Sequence, residues 1–196
     1  LNDAGLGKNK AGIGALSYLQ RLGVPAATVS CYTARIGDGV DIIERGRISY
    51  CNPTASALGC VPGYTSLQAA EIMLEGRIFE GEPPHYEESR TVIRELPVQV
   101  LACDSASLVS PTDVGAIIVT GSHGGILAGR PNYGIATKAR GAVFNDAGIG
   151  IDEAGIQRLK VLDEAFIPAA VVDSNTACIG DARSSWESGV ISYVNR

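Results

Sequence analysis

Apolar residues fall into short uninterrupted runs of strand length. Val98 to Cys103, Gly115 to Thr120, Gly141 to Phe144, Ala169 to Val172 and Val190 to Val194 each read as a buried strand, because four to six apolar residues closed by Gly, Ser, Asn or Asp are too few for a buried helix. Between them the period changes. Ile156, Leu159, Leu162 and Phe166 recur at helical spacing along one face, with Asp152 as the expected cap and Pro168 opening the next strand. Strand, helix, strand with about twenty residues between strand ends is a βαβ unit, whose crossover makes a parallel pair. Parallel sheets need cover on both faces. Ser110-Pro111-Thr112-Asp113 predicts a short helix start, and Thr65 to Glu75 a helix from a Thr cap to a stop at Gly76. Glu80 to Arg90, with Pro83-Pro84, predicts a loop.

One pattern organises the rest. Asn2-Asp3-Ala4-Gly5-Leu6-Gly7 returns as Asn145-Asp146-Ala147-Gly148-Ile149-Gly150, 143 positions later, and the correspondence runs without a gap from there to Asn52 over Asn195. Convergent βαβ patterning would match apolar character but not Asn-Asp-Ala-Gly letter for letter. A period this long implies duplication of a domain-sized unit rather than a solenoid. Only the second copy has a preceding stretch, Val98 to Val143. The expected fold is therefore α/β, with internally duplicated βαβ units forming a mainly parallel sheet with flanking helices, the first copy N-terminally truncated. Residues 1–76 form the incomplete first unit with its following helix, 77–97 a linker, and 98–196 the complete second unit. The chain begins with Leu1 and not Met, as a fragment or processed piece would, and an upstream segment or a partner chain would supply the first unit's strands.

Composition narrows the partners. A net charge of −5 leaves no basic footprint for nucleic acid or an anionic membrane surface. The longest apolar run, Ala116 to Val119, is far too short to span a bilayer, and no signal-peptide pattern occurs. Cys31, Cys51, Cys60, Cys103 and Cys178 are odd in number and lack metal-type spacing. They read as reduced, mostly buried thiols of a cytoplasmic protein. With two histidines, His85 and His123, a three-histidine zinc site is excluded. No cofactor is evident, and a divalent cation on carboxylates stays open. A homo-oligomer is expected on general grounds.

Ligands of open α/β sheets bind beyond the carboxyl ends of the strands. Three polar turns fall there in the second unit: Gly121-Ser122-His123-Gly124-Gly125, Asn145-Asp146-Ala147-Gly148, and Asp173-Ser174-Asn175-Thr176 leading to Gly180-Asp181. The first unit offers Asn2-Asp3, Ser30-Cys31 and Arg35-Ile36-Gly37-Asp38. His123 is the candidate general base, and the backbone of Gly121, Gly124 and Gly125 a cradle for an anion. Asp146 would orient the histidine or a metal, and Ser122 and Ser174 would bind or attack. Asn145, Asn2, Asp3, Cys31, Arg35, Asp38 and Asp181 are candidate substrate contacts. Each also has a structural use, as a helix cap, a turn former or a buried thiol. Glycine spacing matches neither dinucleotide nor Walker motifs.

A strand followed by Ser122-His123-Gly124 resembles the histidine motif of caspase-like cysteine proteases, over fewer than a dozen residues. In that family the next strand ends in Ala-Cys, whereas here it runs into Asn145-Asp146-Ala147-Gly148. The nucleophile is absent, so protease activity is not implied. The turns point to an enzyme acting on a small polar or anionic metabolite by hydrolytic or acid–base chemistry. The alternatives are a non-catalytic small-molecule binding module and a structural subunit of a larger assembly.

Overall fold

A computed structural model describes residues 1–196. In chain order the first half carries α1 (Gly14–Arg21), β1 (Ala27–Val29), α2 (Gly39–Arg45), β2 (Ile48–Cys51), α3 (Pro53–Ala57) and α4 (Ser66–Met73). The second carries β3 (Arg90–Arg94), β4 (Val100–Cys103), β5 (Ile117–His123), β6 (Gly141–Asn145), α5 (Arg158–Glu164), β7 (Ala169–Val172), α6 (Ala182–Ser188) and β8 (Ile191–Val194). The second half builds a six-stranded sheet in the order β3-β4-β5-β6-β7-β8. Its four central strands are mutually parallel, and β3 and β8 lie antiparallel at the two edges. In the first half β1 and β2 pair antiparallel, and Asn2 bridges Val29 in parallel. The architecture is mixed α/β with a mostly parallel sheet. No helix is long and apolar enough to cross a membrane.

The central strands read as continuous apolar runs because they are covered on both faces. All four residues of β4 and all four of β7 are buried. Leu101, Cys103, Val109 and Ile118 form one cluster, and Phe144, Leu159, Leu162 and Val171 form another beneath α5. In the first half the core is Val29, Ala34, Ile48, Ala55, Cys60 and Ala69. The helix expected from Thr65 forms with a full capping box between Thr65 and Gln68.

Four local expectations change. Phe166 does not share the buried face of Leu159 and Leu162. The helix ends at Glu164, and Phe166 sits at φ +55° and 94 % exposed. Asp152 does not cap α5; it is itself left-handed, at φ 55°, and its carboxylate accepts from Arg45. Ser110 to Asp113 is a turn and not a helix start, because Asp113 takes the Ser110 N–H and the Arg90 guanidinium. Arg90–Arg94, within the expected linker, is an edge strand, and its pairing to β4 continues into the Asp104–Ser89 hydrogen bonds.

β2 and β8, 143 positions apart, share Ile-Ser-Tyr but differ in cover. The outer edge of β2 is closed by the Ile48 N–H to the Tyr64 carbonyl (2.8 Å) and the Gly63 N–H to the Ile48 carbonyl (2.8 Å). Ile48 is 5 % exposed, whereas Ile191 is 60 % exposed on an edge that no segment pairs. Ile48→Ala is expected to destabilise the protein by about 2–4 kcal/mol and Ile191→Ala by under about 0.5 kcal/mol. Urea midpoints of the two variants, measured side by side, check this; equal losses would contradict the difference in cover.

Candidate functional site

The two Asn-Asp-Ala-Gly turns leave the ends of adjacent structure in one unusual conformation. Ala4, Gly5, Leu6 and Gly7 are consecutive left-handed residues (φ 47–69°), as are Ala147, Gly148, Ile149 and Gly150 (φ 49–72°). The carboxylates are built into this bend. Asp3 Oδ1 accepts from the N–H groups of Gly5 (3.1 Å) and Cys31 (2.9 Å). Asp146 Oδ1 accepts from Gly148 (3.0 Å) and Ser174 (3.0 Å), and its Oδ2 from the Ser192 hydroxyl (2.9 Å). Asn2 and Asn145 each accept from the second residue onward and donate to Ala34 and Ala177. The turns then meet. A Cβ added to Gly5 would lie 2.8 Å from the Gly148 Cα. The Lys8 N–H donates to the Ser174 carbonyl (2.7 Å) and the Ile151 N–H to the Cys31 carbonyl (2.8 Å).

His123 ends β5, opposite Asn145 of β6. Its Nδ1 accepts from the Gly125 N–H at 3.1 Å, which assigns the proton of the neutral ring to Nε2. Burial, followed by the nearby Arg158 charge, holds its pKa down to about 4. At neutral pH it is therefore an uncharged ring with a donating Nε2, and accepting a proton at Nδ1 requires giving up the Gly125 bond. The cradle expected around it has its donors engaged: Gly124 N–H donates to the Asn145 carbonyl (2.7 Å) and Gly125 N–H to the ring. Gly121 instead gives room, since a Cβ there would collide with the backbone nitrogen of Asp181. Ser122 Oγ accepts from the Ala106 N–H (2.8 Å). No hydrogen bond joins His123 to Asp146, Ser122 or Ser174.

The remaining candidates hold the scaffold. Asp38 and Asp181 are the N-caps of α2 and α6, accepting from Asp41 (3.0 Å) and Ser184 (2.8 Å). Arg35 already pairs with Asp41 at 3.2 Å. Arg45 approaches the same carboxylate at 2.6 Å and reaches Asp152 at 3.0 Å, tying the two halves together. The hydrogen bond from Arg45 holds Asp41 well below the usual carboxylate range, against its burial. Burial and then the Asp3 charge push the Cys31 thiol up to about 12, so it stays protonated. Arg158 is a buried polar residue that sequence reasoning misses. It is 3 % exposed, with a guanidinium donating to the Gly125 and Gly134 carbonyls and lying 4.8 Å over the Phe144 ring. Helical spacing placed it beside Leu159, and only its polar letter separated it from the core.

Two open grooves lie outside these turns. The first, about 700 Å³, runs along α1 and includes Lys10, Ile13, Leu16, Arg21 and Tyr50. The second, about 630 Å³, includes Glu153, Ile156, Leu159, Glu164 and Tyr193, the residues 143 positions later, along α5. The same apolar floor thus carries Lys10 and Arg21 in one groove and, at the matching positions, Glu153 and Glu164 in the other, which also holds Lys160. No ion pair involves any of these side chains.

No family model, curated protein or solved structure matches this chain. No three His, Cys, Asp or Glu side chains gather as a metal site, and the buried side-chain polar atoms without a hydrogen-bond partner are Arg35 Nε and Ser66 Oγ.

Two outcomes test this account of the turns. Gly148→Ala places a Cβ against Gly5 at positive φ and is expected to cost about 2–4 kcal/mol, whereas Gly129→Ala, with open space around it, is expected to be nearly neutral. Urea midpoints measure both, and an unperturbed Gly148→Ala would refute the close approach. For His123, a folded pKa of about 4 against 6.5 means the unfolded chain binds the extra proton between those values. Its contribution is complete above pH 6.5 and is lost as pH falls toward 4, at up to about 1.4 kcal/mol per pH unit. His123→Asn, whose Oδ1 replaces Nδ1 as acceptor, is expected to lose less stability than wild type between pH 7 and 4.5. Parallel curves for the two proteins would count against a buried neutral ring.

Proposed function

We propose that this chain is a small-molecule binding module whose ligand is a small anionic metabolite, held in the groove along α1 between Lys10 and Arg21. One observation carries this reading: two corresponding grooves share an apolar floor, and the positions of Lys10 and Arg21, which form no ion pair, are taken in the other groove by Glu153 and Glu164, beside Lys160. An apolar concavity of a few hundred Å³ with a few polar groups at its rim is the usual form of a metabolite site. Unpaired cations on its walls raise the local concentration of anions. Asn9 and Gln20 lie beside them, although Gln20 Oε1 already accepts from Thr54. On this reading the two halves descend from one duplicated unit, and their grooves have diverged in charge. Hydrolytic chemistry at His123 is less well supported, since Ser122, Asp146, Gly124 and Gly125 direct their hydrogen bonds into the scaffold.

A second reading, a subunit of a larger assembly, is favoured by β8. Val190, Ile191, Tyr193 and Val194 are all exposed along its unpaired edge, and an uncharged apolar edge strand is a template for pairing.

Calorimetric titration with inorganic phosphate, a sugar phosphate, and C4 and C6 di- and tricarboxylates separates the two. At least one anion is expected to bind below about 1 mM, with Arg21→Glu weakening it at least tenfold and Glu164→Gln leaving it unchanged. If no anion binds, and the protein instead sediments as a concentration-dependent oligomer that Ile191→Lys returns to monomer, the assembly reading takes its place.

A further inference from the structure

Two of the five cysteines are not isolated. Cys51, the last residue of β2, is half-buried at the wall of the first groove, and Cys60 is fully buried behind it. Their Sγ atoms are 3.3 Å apart. Cys31, Cys103 and Cys178 make no contact with another thiol. Both backbones of the pair are fixed independently of the sulfurs. Cys51 is in register with Ala27 across the β1–β2 ladder, and the Cys60 N–H donates to the Ala55 carbonyl at 3.1 Å. The intervening α3 is clamped by Asn52, whose Oδ1 takes the N–H groups of Ala26 and Ala55 and whose Nδ2 donates to Val24. A disulfide bond of about 2.05 Å needs the sulfurs to close only the remaining gap, by side-chain rotation.

We propose that Cys51 and Cys60 are a redox-modification site, a dithiol that low-molecular-weight disulfides convert reversibly into an intramolecular disulfide at the groove wall. Cys51 is the sulfur that solvent reaches. Its thiolate attacks one sulfur of the small disulfide, forming a mixed disulfide and expelling one small thiolate. The Cys60 sulfur, its proton lost, then attacks Cys51 Sγ and expels the second. Two protein thiols are oxidised by two electrons, and the small disulfide leaves as two thiols carrying both protons. Burial, and then the hydrogen bond to Cys60, push the Cys51 thiol up to about 12, so the reaction is slow at neutral pH and speeds up with rising pH. The bond would tie the end of β2 to the residue after α3 and stiffen the segment from Cys51 to Pro53 that lines the groove. The corresponding position of the other groove is Val194, so only one groove carries this chemistry.

The test uses the full folded chain, incubated with excess oxidised glutathione at pH 8.5, then denatured and alkylated. Expected are a mass lower by about 2 Da before alkylation, alkylation at Cys31, Cys103 and Cys178 only, and a cross-linked peptide joining Cys51 to Cys60. Dithiothreitol should restore all five alkylatable thiols. The oxidised form should melt several degrees higher. Cys60→Ser should instead retain glutathione on Cys51. Five alkylatable thiols after oxidation, a stable mixed disulfide at wild-type Cys51, or a cross-link through any other cysteine would each overturn the proposal.

Discussion

The contact on which the rest of the molecule depends is the one between Gly5 and Gly148. Each belongs to a run of four left-handed residues, and each run includes two residues with a Cβ, Ala4 with Leu6 and Ala147 with Ile149. Left-handed backbone costs an ordinary residue roughly 1–2 kcal/mol, so each turn carries strain of several kcal/mol relative to a right-handed path. Hydrogen bonds from backbone N–H groups to a carboxylate contribute about 1.5–3 kcal/mol apiece. Asp3 and Asp146 each collect two on one oxygen, enough to offset the bend. Glycine then permits the backbones to touch, and the reciprocal bonds from Lys8 and Ile151 lock one half of the chain onto the other. The Arg45–Asp152 pair adds a partly exposed tie across the same seam, of the kind that contributes little on its own.

This explains which parts of the fold the sequence revealed. The buried strands were legible because a parallel strand covered on both faces must be apolar throughout, and Ala169 to Val172 matches its predicted bounds. Thr65 was legible as a cap because the capping box is a local device. Phe166 was misplaced because a helical period continues on paper after the helix has ended; Phe166 is itself the left-handed residue beyond the C-terminus, which turns its side chain away from the buried face. Arg90–Arg94 was hidden by its polar ends, since an edge strand needs apolar residues on one side at most. The placement of β8 antiparallel to β7 was equally invisible. α6 packs on β5, with Ser185 Oγ donating to the Thr120 carbonyl, and so does not carry the chain across as a βαβ helix would.

The Asn-Asp-Ala-Gly turns were legible in the sequence, whereas the groove residues Lys10 and Arg21 were not. Asn2, Asp3, Asn145 and Asp146 stood out because they recur, and they recur at places where the backbone itself needs their oxygens. The two halves differ where the scaffold makes no such demand. Asp41, Arg35 and Arg45 form an ion-pair cluster, and 143 positions later stand Ser184, Cys178 and Ser188, where the Cys178 N–H donates to Ser184 Oγ and the Ser188 hydroxyl to the Ser184 carbonyl instead. Lys10 and Arg21 face Glu153 and Glu164 in the same relation. Positions that match serve folding, and positions that diverge are free to serve something else.

His123 shows why the distinction matters. A histidine after a buried strand among glycines looks like a base, yet a base needs an accepting nitrogen facing the substrate and a pKa near the working pH. Here the accepting nitrogen faces the Gly125 N–H, and the buried Arg158 guanidinium, pinned by two carbonyls and the Phe144 ring, disfavours the protonated ring. The same arginine fixes the loop that follows, so the residue that weakens His123 as a base also gives the turn its shape. Nε2 as it stands is a donor able to hold an anion, and withdrawing a proton at Nδ1 would cost the Gly125 bond. Side chains that the backbone does not use include the groove cations and the Cys51–Cys60 pair beside them.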